Sequence, residues 1–170
     1  MVAMDPARRN LCLGLAGLFA LTASGLRAEE VFDLEWRDLV PPDQPYVPPV
    51  IQNIAPHDEG SMASRQPLSA GVRTDWNGRI VRLSGFIIPL DYKGTGVTAF
   101  MLVPYVGACI HVPPPPANQL VLVTTENPYE VDRLFAPVTV TGMFGTAAIA
   151  TQLADVGYAL SAEDIAPYRA

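Results

Sequence analysis

The sequence predicts a mainly β domain: a small closed or partly closed barrel resembling an OB-fold, with short helical segments. Three observations carry that reading. Four or five short runs of β-branched and apolar residues lie between Gly78 and Leu160, separated by turn residues. Two of them, Val81-Arg-Leu-Ser-Gly-Phe86 and Val138-Thr-Val-Thr-Gly-Met143, run into a glycine, as strands that bend sharply in a small barrel do. Few helical patterns accompany them, and no repeat of fixed period organises the chain.

The 170 residues suit one domain with a true hydrophobic core. Arg8-Arg9-Asn10 precedes an apolar run from Leu11 to Ala23, broken only by Thr22, and small residues lead to Ala28. That order of charge, apolar stretch and small residue predicts a signal peptide over residues 1–28; a short buried helix is the plainer alternative. The run is too short to span a bilayer, so no stable membrane span is expected after cleavage. The arginine pair suits twin-arginine export as well as an ordinary signal. Cys12 sits too early in the run for lipid attachment, so a soluble periplasmic or otherwise exported product is expected.

Loss of Asp5, Arg8, Arg9 and Arg27 with that segment leaves 8 basic and 16 acidic residues. An acidic chain lacks the basic footprint that nucleic-acid binding requires, so no nucleic-acid partner is expected. Cys109 becomes the lone cysteine, which excludes an intramolecular disulfide and singles that thiol out as buried, reactive or metal-bound.

Residues 29–69 read as an extended Pro-rich arm or linker, and residues 70–170 as the barrel-like domain. In the arm, Phe32, Leu34 and Trp36 alternate as a strand would, whereas Phe32, Trp36 and Leu39 fit a helical face. Either way they form an aromatic anchor that packs back on the domain, ended by Pro41-Pro42. A connector spaced by Pro45, Pro48, Pro49 and Pro56 follows, with room for a helical turn near Ile51.

Asp75-Trp76-Asn77-Gly78 is a turn. Residues 79–90 read as the first strand of the barrel, with Gly85 marking a bulge or sharp bend. Residues 91–96 form a turn, 97–105 a second strand and 120–125 a third. Residues 126–135 read as a short helix or loop, and 137–145 as a strand with Val138 and Val140 on one face. The Ala-rich residues 146–155 suit a helical turn or a hairpin, and 156–160 a closing strand. Ser161 with Asp164 three residues on resembles a helix start.

The candidate site is Tyr105-Val-Gly-Ala-Cys-Ile-His111-Val, followed by Pro113, Pro114, Pro115 and Pro116. In an extended segment residues two apart face one way, so Cys109 and His111 share a side. Thiolate and imidazole are ligands for zinc or copper. Gly107 permits a tight turn, and the prolines stiffen the exit. A structural zinc site takes four ligands, so His57 is the further candidate, with Asp58 or Glu59 beside it. The alternative is structural: Cys109 as a small buried hydrophobe and His111 hydrogen-bonded at the barrel rim. Asn118 and Gln119 are expected to satisfy backbone groups at a strand start. No Cys-x-x-Cys pair, phosphate loop or dinucleotide fingerprint is present, and an enzyme is the least supported class.

The run from Phe100 to Val123 closely resembles the signature of a bacterial family, domain of unknown function 3299. Trp36-x-x-Leu-x-Pro41, Gly85-Phe-x-x-Pro-Leu90 and Val138 to Phe144 agree, so the resemblance covers nearly all of residues 34–168. It implies an exported accessory protein, with an ABC transporter or another envelope component as partner and zinc as the metal handled. The alternative it leaves open is a non-catalytic structural or interaction domain of such a complex.

Overall fold

A computed structural model describes residues 29–46, 66–69, 71–110 and 113–168. The signal-peptide reading, the turn near Ile51, His57 and His111 lie outside the described residues. Strand β1 (Val31–Leu34) leads into a 3-10 turn (Trp36–Leu39), so both periodicities seen in that segment are real and consecutive. Then come β2 (Arg79–Lys93), β3 (Gly96–Val103), a 3-10 turn (Ala117–Gln119), β4 (Val121–Glu130), β5 (Pro137–Ala150) and β6 (Asp155–Pro167).

The sheet order is β1-β2-β3-β4-β6-β5, and a β2–β5 pairing closes it. Strands β2 to β6 thus form a five-stranded barrel of OB type, in which β4 and β6 run parallel, with Val121 opposite Tyr158. β1 adds a parallel strand beside the first half of β2, with Val31 opposite Ile80. Closure pairs the barrel strands around the circuit and, apart from Ser84 and Gly85 on one edge of β2, removes the open edges that are the usual weakness of small β domains.

Besides β1, β2 serves two barrel partners. Residues 79–86 pair with β5 in continuous register, and residues 86–93 pair with β3. The expected bulge is therefore displaced: Gly85 lies in register opposite Val138, where β2 turns from its β5 pairing to its β3 pairing, and the shifts on β2 fall between Pro89 and Tyr92. What Gly85 provides is room. A Cβ there would lie 2.8 Å from the Val103 carbonyl and 3.0 Å from Trp36 Cζ2.

Alternation divides the strands between two cores. Leu83, Phe100, Leu102, Val121, Val123, Val140, Phe144 and Tyr158 fill the barrel, joined by Leu34 and Leu39 from the arm. Met101, Val103 and Leu120 alternate to the other side, yet they are buried in a second cluster with Ile88, Ala108, Cys109, Phe135 and Val156. β3 is thus covered on both faces, which is why residues 100–103 read as an unbroken apolar run rather than an alternating one.

Two expectations change, and one pair of alternatives is decided in favour of the hairpin. Residues 126–130, expected as helix or loop, extend β4 to pair with β3, with Gly96 opposite Glu130. The Ala-rich stretch is a hairpin: β5 continues to Ala150 and turns at 151–154, where Thr151 N–H and Oγ1 both donate to the Ala154 carbonyl. The helix start at Ser161 does not form, because β6 runs on to Pro167 and places Ile165 opposite Val140. Pairing along the whole length of β5 outweighs a local cap preference worth about 1 kcal/mol.

Candidate functional site

The signature loop, between β3 and the second 3-10 turn, folds over the outer face of the barrel. Gly107 turns it at φ +92° and accepts a hydrogen bond from Ile110 N at 3.4 Å. Cys109 holds a left-handed backbone, φ +64°, which places its side chain inward. It is 1% exposed, and its Sγ lies 3.8 Å from Met101 Sδ inside the second core. Burial pushes the thiol up to about 12, so it stays protonated at neutral pH. A protonated, enclosed thiol is a poor nucleophile.

A measurable consequence follows from that shift. The folded state holds the thiol neutral while the unfolded chain ionises near the ordinary cysteine value. Stability from this group is therefore intact below about pH 8.5 and declines as pH rises toward 12. Native Cys109 is expected to resist a thiol reagent at pH 8 and to react once denaturant is added, a difference read by mass spectrometry. Rapid labelling of native protein would contradict the enclosed position.

The prolines and amides belong to the same scaffold. Pro114 and Pro115 are buried, and Pro115 gives its carbonyl to Gln66 Nε2 at 3.0 Å. Gln66 also exchanges bonds with the Asp155 backbone, donating to its carbonyl and accepting from its N–H, each at 2.8 Å. Asn118 and Gln119 are buried polar side chains. Asn118 Nδ2 donates to the Gly71 carbonyl at 2.9 Å, and Gln119 Nε2 to the Trp36 carbonyl at 2.7 Å. Gln119 Nε2 also donates to the Asn118 carbonyl at 3.0 Å, so the amides satisfy backbone at the strand start, as expected, and tie that start to Trp36 and Gly71 as well. Of the candidate ligands, the structure describes Cys109 alone. No group of three or more His, Cys, Asp or Glu placed to hold a metal ion occurs among the described residues.

A different site emerges at the bend of β2. β1 ends opposite Leu83, and β3 begins its pairing at Phe86, leaving a gap at Ser84 and Gly85 on that edge. The Trp36 indole fills it: Nε1 donates to the Ser84 carbonyl at 2.8 Å, in place of a strand neighbour. Around it opens a cleft of about 720 Å3, walled by Trp36, Tyr46, Phe86, Pro104 and Tyr168, with Gly85 in its lining. Glu35 and Arg37 also line it and are ion-paired with each other. That pairing raises the exposed Arg37 guanidinium further, chiefly through the hydrogen bond to Glu35. Burial likewise raises the Tyr46 phenol. Trp36 was visible in the sequence as an aromatic anchor. Tyr46 and Tyr168 carry no local signal of a site, since they reach it only through the path of the arm and the end of β6.

The family described as "Protein of unknown function (DUF3299)" matches residues 36–167. The chain belongs to this family. Among solved structures it is similar to a DUF3299 protein from Pseudomonas aeruginosa PAO1, with 36% sequence identity. That likeness covers 84% of this chain and 98% of the other, with a TM-score of 0.72. Curated proteins give no match. The DUF3299 stretch opens at Trp36 and closes at the end of β6, so the indole that plugs the β2 gap lies inside it. Among the described residues no helix is long and apolar enough to cross a membrane.

Proposed function

We propose that this DUF3299 chain is an exported, non-catalytic interaction domain serving a transport system or another complex of the cell envelope. The observation that carries the reading is the place of Cys109. The side chain with the most chemistry in the signature loop closes an apolar core, 1% exposed, rather than facing solvent. Gly107, Pro114, Pro115, Asn118 and Gln119 likewise build the loop and bind the arm to the barrel. The signature is thus a shape-giving element, and recognition falls to the surface that it stabilises. The signal-like N-terminus and the family's envelope setting support the location.

The competing reading is zinc handling through Cys109, His111 and His57. It requires a thiolate, which burial at Cys109 disfavours, and rotation of that side chain out of the second core. Metal content by mass spectrometry after anaerobic purification separates the two, using the unaltered chain and a Cys109→Ser/His111→Ala double variant. The interaction reading expects negligible metal in both. One zinc per chain, lost in the double variant while circular dichroism stays native, overturns it.

A further inference from the structure

We propose that the cleft at the β2 bend is a binding site for a neutral saccharide, held by stacking on Trp36, Tyr46 and Tyr168. Its volume, about 720 Å3, is of the size that small-ligand sites occupy. Its walls are aromatic, and the charged groups lining it are a matched pair, Glu35 with Arg37.

The hydrogen bonds already made narrow the ligand class. An extended peptide adding a strand needs free backbone groups at a sheet edge, and the Ser84 carbonyl is taken by Trp36 Nε1. A proline-rich peptide docks on aromatic walls with an indole N–H bonding its carbonyls; the Trp36 N–H is committed to the Ser84 carbonyl, which disfavours that mode. The titration below keeps it as a competing outcome, because Arg37 and the tyrosines are still donors. An anionic polymer is disfavoured by a chain with net charge −6 and by an arginine already neutralised by Glu35. What remains is a ligand with flat apolar faces for the rings and hydroxyls around its edge. Those hydroxyls would meet the Glu35 carboxylate, the Arg37 guanidinium and the tyrosine phenols. A pyranose ring has that form. OB-type barrels bind oligosaccharides on the face formed here by β3 and β4. This cleft lies instead beside β1 and the bend of β2, so it is a separate site. The proposal does not depend on an envelope partner.

The test uses Trp36 as its own reporter. Trp76 packs tilted against Phe32 with ring centroids 5.7 Å apart and is not part of the cleft, so Trp76→Phe leaves Trp36 as the sole tryptophan. The full exported chain carrying that change is titrated with neutral tetrasaccharides of glucose, galactose and N-acetylglucosamine. A saturable change in Trp36 fluorescence is expected with at least one of them, weakened about tenfold by Tyr168→Ala and restored largely by Tyr168→Phe. Tyr168→Ala should melt like its parent, because the residue is 42% exposed. Absence of saturation with all three sugars overturns the proposal. So does equal affinity in Tyr168→Ala, or saturation by a proline-rich peptide where the sugars give none.

Discussion

Gly142→Ala is expected to lower stability by about 3 kcal/mol, a fall in melting temperature of about 6–12 °C for a chain of this size. Gly142 lies on β5 where the register against β6 slips, with Thr141 opposite Asp164 but Gly142 opposite Ala162. Glu163 is the extra residue, and the bulge presses the β6 backbone against Gly142. A Cβ would overlap the Ser161 carbonyl and come within 2.9 Å of Ala162 Cα. Both obstacles are backbone, so no rotamer relieves them, and β5 or β6 must shift. Because this pair helps close the barrel, a shift there strains the whole circuit. Gly145→Ala on the same strand is the control: its nearest neighbour would be Asn77 Oδ1 at 3.9 Å, so little change is expected. Thermal melts of the two variants check the contrast, and equal melting points would refute the account of the bulge.

Tyr158→Phe is expected to cost about 3 kcal/mol, although it removes a single oxygen. Tyr158 is fully buried, stacked on Phe144 with centroids 5.1 Å apart. Its hydroxyl donates to the Leu39 carbonyl at 2.6 Å and accepts from Arg73 N at 2.7 Å. One oxygen thus joins the arm, the segment before β2 and the interior of β6. Phenylalanine keeps the ring but leaves a carbonyl and an N–H without this partner, each at a cost of about 1–3 kcal/mol where water does not reach. Arg73 Nη1 also holds the Asp38 carbonyl at 3.1 Å, so the arm should loosen without detaching. Faster tryptic cleavage after Arg73, together with the lowered melting point, would distinguish this loosening from general destabilisation. A melt and a digest both like those of the unaltered chain would show that the bridge contributes nothing.

Much of the barrel was legible because its signals are local. β-branched runs bounded by Asn77-Gly78 and by Gly94-Thr95-Gly96 mark strand ends wherever the strand goes. The Asn77-Gly78 turn forms as its residues suggest, with Gly78 at φ +71° and Asn77 accepting from Thr146 N at 2.8 Å. The ends of β4, β5 and β6 were not legible. Glu126 to Glu130 and Ser161 to Pro167 have weak β character, and they are strands because distant partners offer unpaired backbone. The partition of apolar residues between two cores was hidden too. Alternating and continuous patterns look alike in a short run when a loop from elsewhere covers the outer face.

The residues by themselves determined the class of fold, the acidic balance of the chain and the singular character of the signature loop. They marked Cys109 and His111 because thiol and imidazole are the side chains with the most chemistry. Tertiary structure alone decided that Cys109 faces Met101 in a second core. It also decided that the concave, aromatic surface lies at the β2 bend. The physical reason is the range of the forces concerned. Strand and turn preferences act over a few residues, whereas burial of a thiol and the shape of a cleft depend on which segments close over one another. Here those segments are 48 residues apart for Trp36 and Ser84 and 119 apart for Leu39 and Tyr158, distances over which no local pattern speaks.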